Sequence, residues 1–524
     1  MKKLILFALL VVAASCGRRF DGPLYLDPEA DIEARVEDAL SRMSLDEKIA
    51  AIHAQSTFSL PGVKKLGIPE LWTSDGPHGV RPEVPWNDWG NPGWNNDSCV
   101  AFPALTCLAA SWNREVAGQY GKALGEEARF REKDVILGPG LNMYRSPLCG
   151  RNFEYMGEDP YLAGKLAVPY IQGLQSNGVA ACVKHYACNN EERHRHKTDV
   201  EVSERALREI YLSAFEMAVK EGDAWSIMAS YNLFRGTHCC HNGYLINDIL
   251  KGEWGFDGLV MSDWAGTHDT KEAVLGGLDV EFGTKVGKKM PAGESVYDIY
   301  YLANPYKEGI LSGEYSMEGL DERVRRVLRL KYRLGLFETP NTLLADYPDF
   351  ACEKFAQVAT RAAEESEVLL KNVDGILPLK EGVKLLVTGP NANSMRCLNG
   401  GWSYSWQGHL ADRYTQQYNT IYEAVCNKFG KKNVVLEQGV TYVAEGSYEE
   451  ENAPEIEKAV KAARNVDVIL ACIGENSYCE TPGNLSDLAL SENQRNLVKA
   501  LAKTGKPIVL ILNEGRPRII NDIE

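Results

Sequence analysis

Excess positive charge is the first thing this sequence lacks. Across 524 residues, 57 Lys and Arg stand against 72 Asp and Glu, a net charge of −15. No basic run or basic-aromatic alternation is present that would neutralise phosphates, which excludes nucleic acid as a partner. Zinc-type spacing is also missing. The thirteen cysteines include no CxxC pair, and His194 and His196 in EERHRHK have no evident third ligand, so that string reads as a solvated loop and no metal is expected. VTGPNA lacks the GxGxxG fingerprint, and without a phosphate loop no nucleotide or other cofactor is expected.

Long apolar runs are scarce as well. The longest opens the chain, MKKLILFALLVVAASCGRR: two lysines, then apolar residues from Leu4 to Ala14. It is too short to span a bilayer but has the layout of a signal peptide. Ala13, Ala14 and Ser15 before Cys16 resemble a bacterial lipobox, which implies a signal peptide over 1–15, cleavage before Cys16, and a lipid anchor on its sulfur. The protein is then expected in the periplasm or at the cell surface, touching a membrane only through that anchor. The alternative is plain secretion with an incidental cysteine. Twelve cysteines remain, an even number that an oxidising compartment could pair. Several, such as Cys107 in AFPALTCLAASW and Cys472 in VILACIG, lie in apolar runs where Cys behaves as a small buried hydrophobe, so pairing is not expected.

What the sequence has is alternation. PELWTSDGPHG, DVILGPGLN, VAACVKHYA, WSIMASYN, GLVMSDW and GLDVEFG read as strands, separated by helical stretches such as SERALREIYLSAFEMAVKEG. Strand and helix in turn imply a parallel sheet, and this many repeats favour a barrel. Asp75, Lys184, His185, Tyr231 and Asp263 all follow such apolar runs. In a parallel barrel those strand ends share one face, where active sites sit. RVRRVLRLKYRLGLF is an amphipathic helix that closes the first domain, expected over 16–340. ETPNTLLADYPD has linker composition, and 341–365 are read as linker and first helix. VKLLVTGP, NVVLEQG, NVDVILACIG and KPIVLILNEG then supply strands for a second α/β domain over 366–524, which looks short.

Asp75, Arg151, Lys184, His185 and Asp263 on one face suit a polyhydroxylated ligand, because each makes charge-assisted bonds to hydroxyls. SDGPHGVR, GRNFEYMGEDP, KHYACNNEE, IMASYN and VMSDW, followed by GGWSYSWQG and GENSYCETPGN, resemble the ordered motifs of glycoside hydrolase family 3. The resemblance spans roughly residues 40 to 518. It implies a TIM-like (β/α)8 barrel followed by an α/β sandwich that is incomplete at its C-terminus, with the active site between them.

The resemblance also implies a retaining exo-acting β-glucosidase acting on oligosaccharides or glycosides. Asp263 would be the nucleophile and Glu480 the acid/base, with Glu475 its competitor. Asp75, Arg151, Lys184, His185 and Tyr231 would hold the sugar, and Trp264, Trp402 and Trp406 would lie beside it or the leaving group, where aromatic faces stack on pyranose rings. Core packing is the alternative for Trp402. Retention calls for carboxyls about 5 Å apart. Cations near Asp263 are expected to keep it ionised, and a less polar setting is expected to keep the acid protonated. KHYACNN in place of a KHFPGHG-like segment argues against N-acetylglucosamine as substrate. A β-xylosidase or α-L-arabinofuranosidase is the alternative of the same chemistry. A non-catalytic glycan-binding surface lipoprotein is the alternative of another class, and it would have no need of both Asp263 and Glu480.

Overall fold

The structure, a computed structural model, describes residues 20–81, 99–284, 295–339, 350–444 and 446–524. Cys16 with its signal-like run, and residues 341–349 of the linker stretch, lie outside the described residues.

Among the described residues, nine strands belong to the first domain: β1 (Ser59–Leu60), β2 (Leu71–Asp75), β3 (Val135–Leu137), β4 (Ala180–Tyr186), β5 (Asp199–Val200), β6 (Ser226–Ala229), β7 (Leu233–Phe234), β8 (Thr237–His238) and β9 (Leu259–Ser262). β2, β3, β4, β6 and β9 run parallel in that order, pairing Asp75 with Leu137, Val135 with Ala180, Cys182 with Ser226 and Ala229 with Ser262. These strands are buried on both faces, which is why they read as continuous apolar runs rather than as alternating ones. Parallel bridges from Met261 to Val280 and from Glu281 to His53 carry the ring onward. β1 closes it against β2 antiparallel. The array is therefore a barrel resembling the TIM fold, with one antiparallel strand among the described residues.

The crossover helices begin where capping residues allow. Asn113 accepts from the amides of Glu115 and Val116 at 2.9 and 3.3 Å to open Arg114–Phe130. Asp159 accepts from Tyr161 and Leu162 at 2.8 and 3.0 Å, with Pro160 in the first turn of Pro160–Gln175. These two helices approach so closely that a Cβ on Gly121 would lie 2.1 Å from the Tyr170 carbonyl oxygen. Met317–Arg333 closes the ring and buries Leu320, Val324, Val327 and Leu328. The next helix, Glu353–Ser366, sinks Phe355 and Ala362 into the barrel's main core cluster. It stops at Ser366, whose hydroxyl donates to Ala363 O at 2.6 Å, a local bond that competes with further helix.

The second domain is a parallel sheet in the order β11-β10-β12-β13, built from β10 (Leu385–Thr388), β11 (Val434–Leu436), β12 (Val468–Gly474) and β13 (Ile508–Asn513). Alternate residues face opposite ways. Leu386 and Ile469 pack against Ala459, Leu497 and Leu501 of two helices, while Leu385, Val387 and Leu470 pack with Ile421, Val425 and Phe429 of a third. The twelve cysteines from Cys99 to Cys479 are all free.

Candidate active site

Four of the five parallel strands β2, β3, β4, β6 and β9 lead directly to polar side chains at one rim, β3 being the exception. β2 ends on Asp75, whose Oδ2 accepts from Arg81 Nη1 at 3.0 Å. β4 contributes Lys184 and His185, Tyr231 follows β6, Asp263 follows β9, and all of these side chains are buried. Arg151 comes from the long loop after β3, just before the turn Asn152–Glu154.

Arg151 organises the centre. Its Nε and Nη2 fork onto the two oxygens of Glu154 at 2.7 and 2.9 Å, and Nη1 donates to the Tyr231 hydroxyl at 2.9 Å. Lys184 Nζ stands 3.0 Å from Glu154 Oε1. Burial works to raise the pKa of Glu154, but Arg151 and Lys184 outweigh it and hold the carboxyl well below its usual range. His185, buried beside the same two cations, is held neutral. One ring nitrogen pairs with the Tyr155 hydroxyl at 3.2 Å, and Nε2 lies 3.8 Å from Asp263 Oδ2.

Asp263 Oδ1 accepts from the Trp264 amide at 2.7 Å, whereas Oδ2 takes no hydrogen bond among the described residues. The expectation that neighbouring cations keep Asp263 ionised needs correction. Burial pushes its pKa up to about 7, because Arg151, Arg195 and Lys184 only partly offset desolvation and Glu480 adds to the rise.

Glu480 is brought to the rim by the loop after β12, with a left-handed backbone at φ 58°. Its Oε2 accepts from Arg195 Nη1 at 2.5 Å, and its Oε1 lies 3.8 Å from Arg151 Nη1. The less polar setting expected for the acid is therefore absent: two guanidiniums outweigh burial and hold Glu480 below the ordinary carboxylate range. Glu475 is engaged elsewhere. Its oxygens accept from Arg516 Nε, Arg518 Nη1, the Tyr478 hydroxyl and the Gly515 amide at 2.9, 2.6, 2.8 and 3.1 Å.

Of the aromatics, half-buried Trp264 donates its indole N–H to Thr57 O at 3.1 Å and packs on Phe282. Trp402 is buried with Phe153, Tyr448 and Tyr478, yet its ring also faces Lys184 Nζ at 5.2 Å and Arg81 at 5.9 Å. Trp406 is 39 % exposed. The structure adds four residues that sequence reasoning passed over: Arg81, Glu154, Glu192 and Arg195. The last two lie in EERHRHK, which is no solvated loop throughout. Glu192 is buried, and its Oε2 accepts from Arg195 Nη1 at 2.7 Å. A pair of opposite charges three residues apart, just past a strand end, was the available signal.

Residues 62–330 match the glycosyl hydrolase family 3 N terminal domain, and residues 367–524 match the glycosyl hydrolase family 3 C-terminal domain. Beta-glucosidase BoGH3A of Bacteroides ovatus is 47% identical over 511 residues, which cover 94% of this chain and 66% of that one. An exo-alpha-(1->6)-L-arabinopyranosidase of Bifidobacterium longum is 34% identical, with 90% of this chain and 59% of that one covered. The crystal structure of the Bifidobacterium adolescentis GH3 beta-glucosidase superimposes with a TM-score of 0.77 at 32% identity, covering 92% of this chain and 65% of that one. The chain thus spans about two thirds or less of the length of these relatives.

Proposed function

The chain belongs to glycosyl hydrolase family 3, and from that premise we propose that it is a retaining, exo-acting β-glucosidase that removes terminal non-reducing β-D-glucosyl residues from oligosaccharides or glycosides. One observation carries this reading. A barrel carboxylate, Asp263, whose Oδ2 takes no hydrogen bond among the described residues, and a carboxylate from the second domain, Glu480, stand beside the same arginine among hydroxyl-binding side chains.

In the first step Asp263 Oδ2 attacks the anomeric carbon while Glu480 gives its proton to the departing glycosidic oxygen. In the second, Glu480 takes a proton from water, and the resulting hydroxide displaces Asp263 from the sugar. Asp75, Arg151, Lys184, His185 and Tyr231 orient the sugar hydroxyls. Trp264, Trp402 and Trp406 border the ring or the leaving group. Glu475, with every oxygen occupied, holds the loop that carries Glu480.

The test is a side-by-side assay on p-nitrophenyl β-D-glucoside, β-D-xyloside, α-L-arabinofuranoside and α-L-arabinopyranoside. The last is included because of the Bifidobacterium relative. The β-glucoside is expected to give the highest kcat/KM. A pentoside ahead of it would move the specificity to xylose or arabinose, and binding of glucose with no turnover of any of the four would make the chain a glycan-binding protein. On the strength of the N-terminal sequence alone, we also propose that the protein is lipid-anchored through Cys16 in the periplasm or at the cell surface. Cys16→Ser should release it from the membrane fraction of a Gram-negative host.

A further inference from the structure

A general acid must carry a proton, yet Glu480 stands against two guanidiniums that favour its ionised form. A second carboxylate shares both of those guanidiniums. Arg195 Nη1 donates to Glu192 Oε2 at 2.7 Å and to Glu480 Oε2 at 2.5 Å, while Arg151 Nη1 lies 3.8 Å from Glu192 Oε1 and 3.8 Å from Glu480 Oε1. Glu192 is fully buried and takes one further bond, from Asn189 Nδ2 at 3.1 Å. The loop that bears it is tied to the loop that bears Glu480, since the Thr481 hydroxyl donates to Glu192 O at 3.1 Å.

We propose that Glu192 and Glu480 form a single carboxyl pair that holds one proton between them, and that Glu192 is the positioning residue that lets Glu480 act as an acid beside Arg151 and Arg195. The inference rests on the acid/base reading of Glu480. Charge balance supports it. Among the described residues, and apart from the Asp75–Arg81 pair, the cations of this centre are Arg151, Arg195 and Lys184, and the carboxyls are Asp263, Glu154, Glu192 and Glu480. Three cations facing four carboxyls are neutral with one proton aboard. Glu154 is locked in the Arg151 fork and Asp263 must be ionised to attack, so the proton falls to the remaining two. Two carboxyls so close cannot both ionise freely, and their titration belongs to the pair rather than to either member.

Of the neighbouring carboxyls, burial raises Asp75 and lifts Asp263 to about 7, and Asp263 must give up its proton to attack. From the loop after β3 come Cys149 and Tyr155, both with raised pKa. From β4 and its loop come His185, which stays neutral, and His196, lowered by burial and Arg195. Tyr231 and Cys479 also face the pair, with pKa values raised far above neutrality by burial. In the first step Glu480 passes the pair's proton to the glycosidic oxygen as the C–O bond breaks and the bond to Asp263 Oδ2 forms. The pair is then doubly ionised against two guanidiniums. In the second step it recovers the proton from the attacking water.

The experiment is the pH profile of kcat/KM on phenyl β-D-glucoside, whose leaving group needs the acid. Glu192→Gln leaves Glu480 alone with two arginines, so the alkaline limb should move to lower pH by about one unit or more, a loss about tenfold greater at pH 8 than at pH 5.5. Glu192→Asp, which keeps the charge, should restore most of the limb. An unmoved limb with uniformly lower activity would reduce Glu192 to scaffolding and overturn the proposal. If Glu192→Gln does not fold, Arg195→Gln is compared with the charge-balanced double variant Glu192→Gln/Arg195→Gln. The double variant should lose activity at lower pH than the single one, and coincident limbs overturn the proposal equally. The reading beneath it is checked separately by Glu480→Ala. Azide should rescue its turnover of an activated aryl glucoside and yield β-glucosyl azide. Absent rescue removes Glu480 as acid/base, whereas rescue with an unmoved Glu192→Gln limb removes only the shared proton.

Discussion

At the scale of the residue, burial governs when the proposed nucleophile is ionised. Asp263 is buried and raised to about 7, and only its carboxylate can attack. For an activated substrate such as 2,4-dinitrophenyl β-D-glucoside, which needs no protonation, kcat/KM should fall below about pH 7. It should drop about tenfold per unit once well below that value. A limb near 4 would show that substrate-free burial is not what governs Asp263. Asp75, Lys184, His185 and Asp263 were legible because each follows an apolar run, and a strand's end dictates where its next polar residue goes. Arg81, Glu154, Glu192 and Arg195 were not. Charged residues in loops look alike in sequence whether solvated or buried, and only the opposing partner, hundreds of positions away for Arg195 and Glu480, distinguishes them.

At the scale of the element, the loop after β12 meets the loop after β3 main chain to main chain at Gly150. Gly150, next to Arg151, donates its amide to the side chain of Asn484, reaching Oδ1 at 3.0 Å. A Cβ there would lie 1.9 Å from Glu480 O and 2.8 Å from Gly483 C. Those are main-chain atoms, so no rotamer relieves the clash. Gly150→Ala should displace Glu480 and cut kcat on phenyl β-D-glucoside by roughly 10²-fold, while turnover of the dinitrophenyl substrate changes far less. Equal losses on both would mean that the glycine supports the barrel side instead. The parallel strands and their order along the chain were readable from apolar runs. The antiparallel closure by β1 was not, because a two-residue strand carries no periodicity of its own.

At the scale of the whole molecule, buried titratable groups set how stability follows pH. Glu127 is raised to about 8 and Glu281 and Asp134 to about 7, all by burial. Their contribution is complete below the unfolded value near 4 and is lost as pH rises through the folded one. His53 and His78, lowered to about 4 by burial, act oppositely: their contribution is complete above about 6.5 and is lost on acidification. Below pH 6.5 the two sets oppose each other, between about 6.5 and 7.5 the carboxyls lead, and above that Lys133 and Lys331, both lowered to about 8 by burial, work against them. The thermal midpoint should therefore decline from pH 6.5 to 7.5, measured by calorimetry at constant ionic strength. A rising midpoint across that interval would refute the assignment of those carboxyls as the governing groups.

The two candidate catalytic carboxyls come from different cores, joined by contacts such as His78 with Gly401 O, Arg516 with Cys149 O, and Phe153 against Tyr478. A molecule whose second core has swung away keeps Asp263 and its sugar-binding rim but lacks the acid. In the assay it would be indistinguishable from a Glu480 deletion, blind to phenyl glucosides yet still cutting dinitrophenyl ones. The quotient of those two rates, followed during heating or denaturant addition, then counts the fraction of molecules whose halves are still clasped, and substrate chemistry becomes a gauge of domain association that no bulk unfolding signal provides.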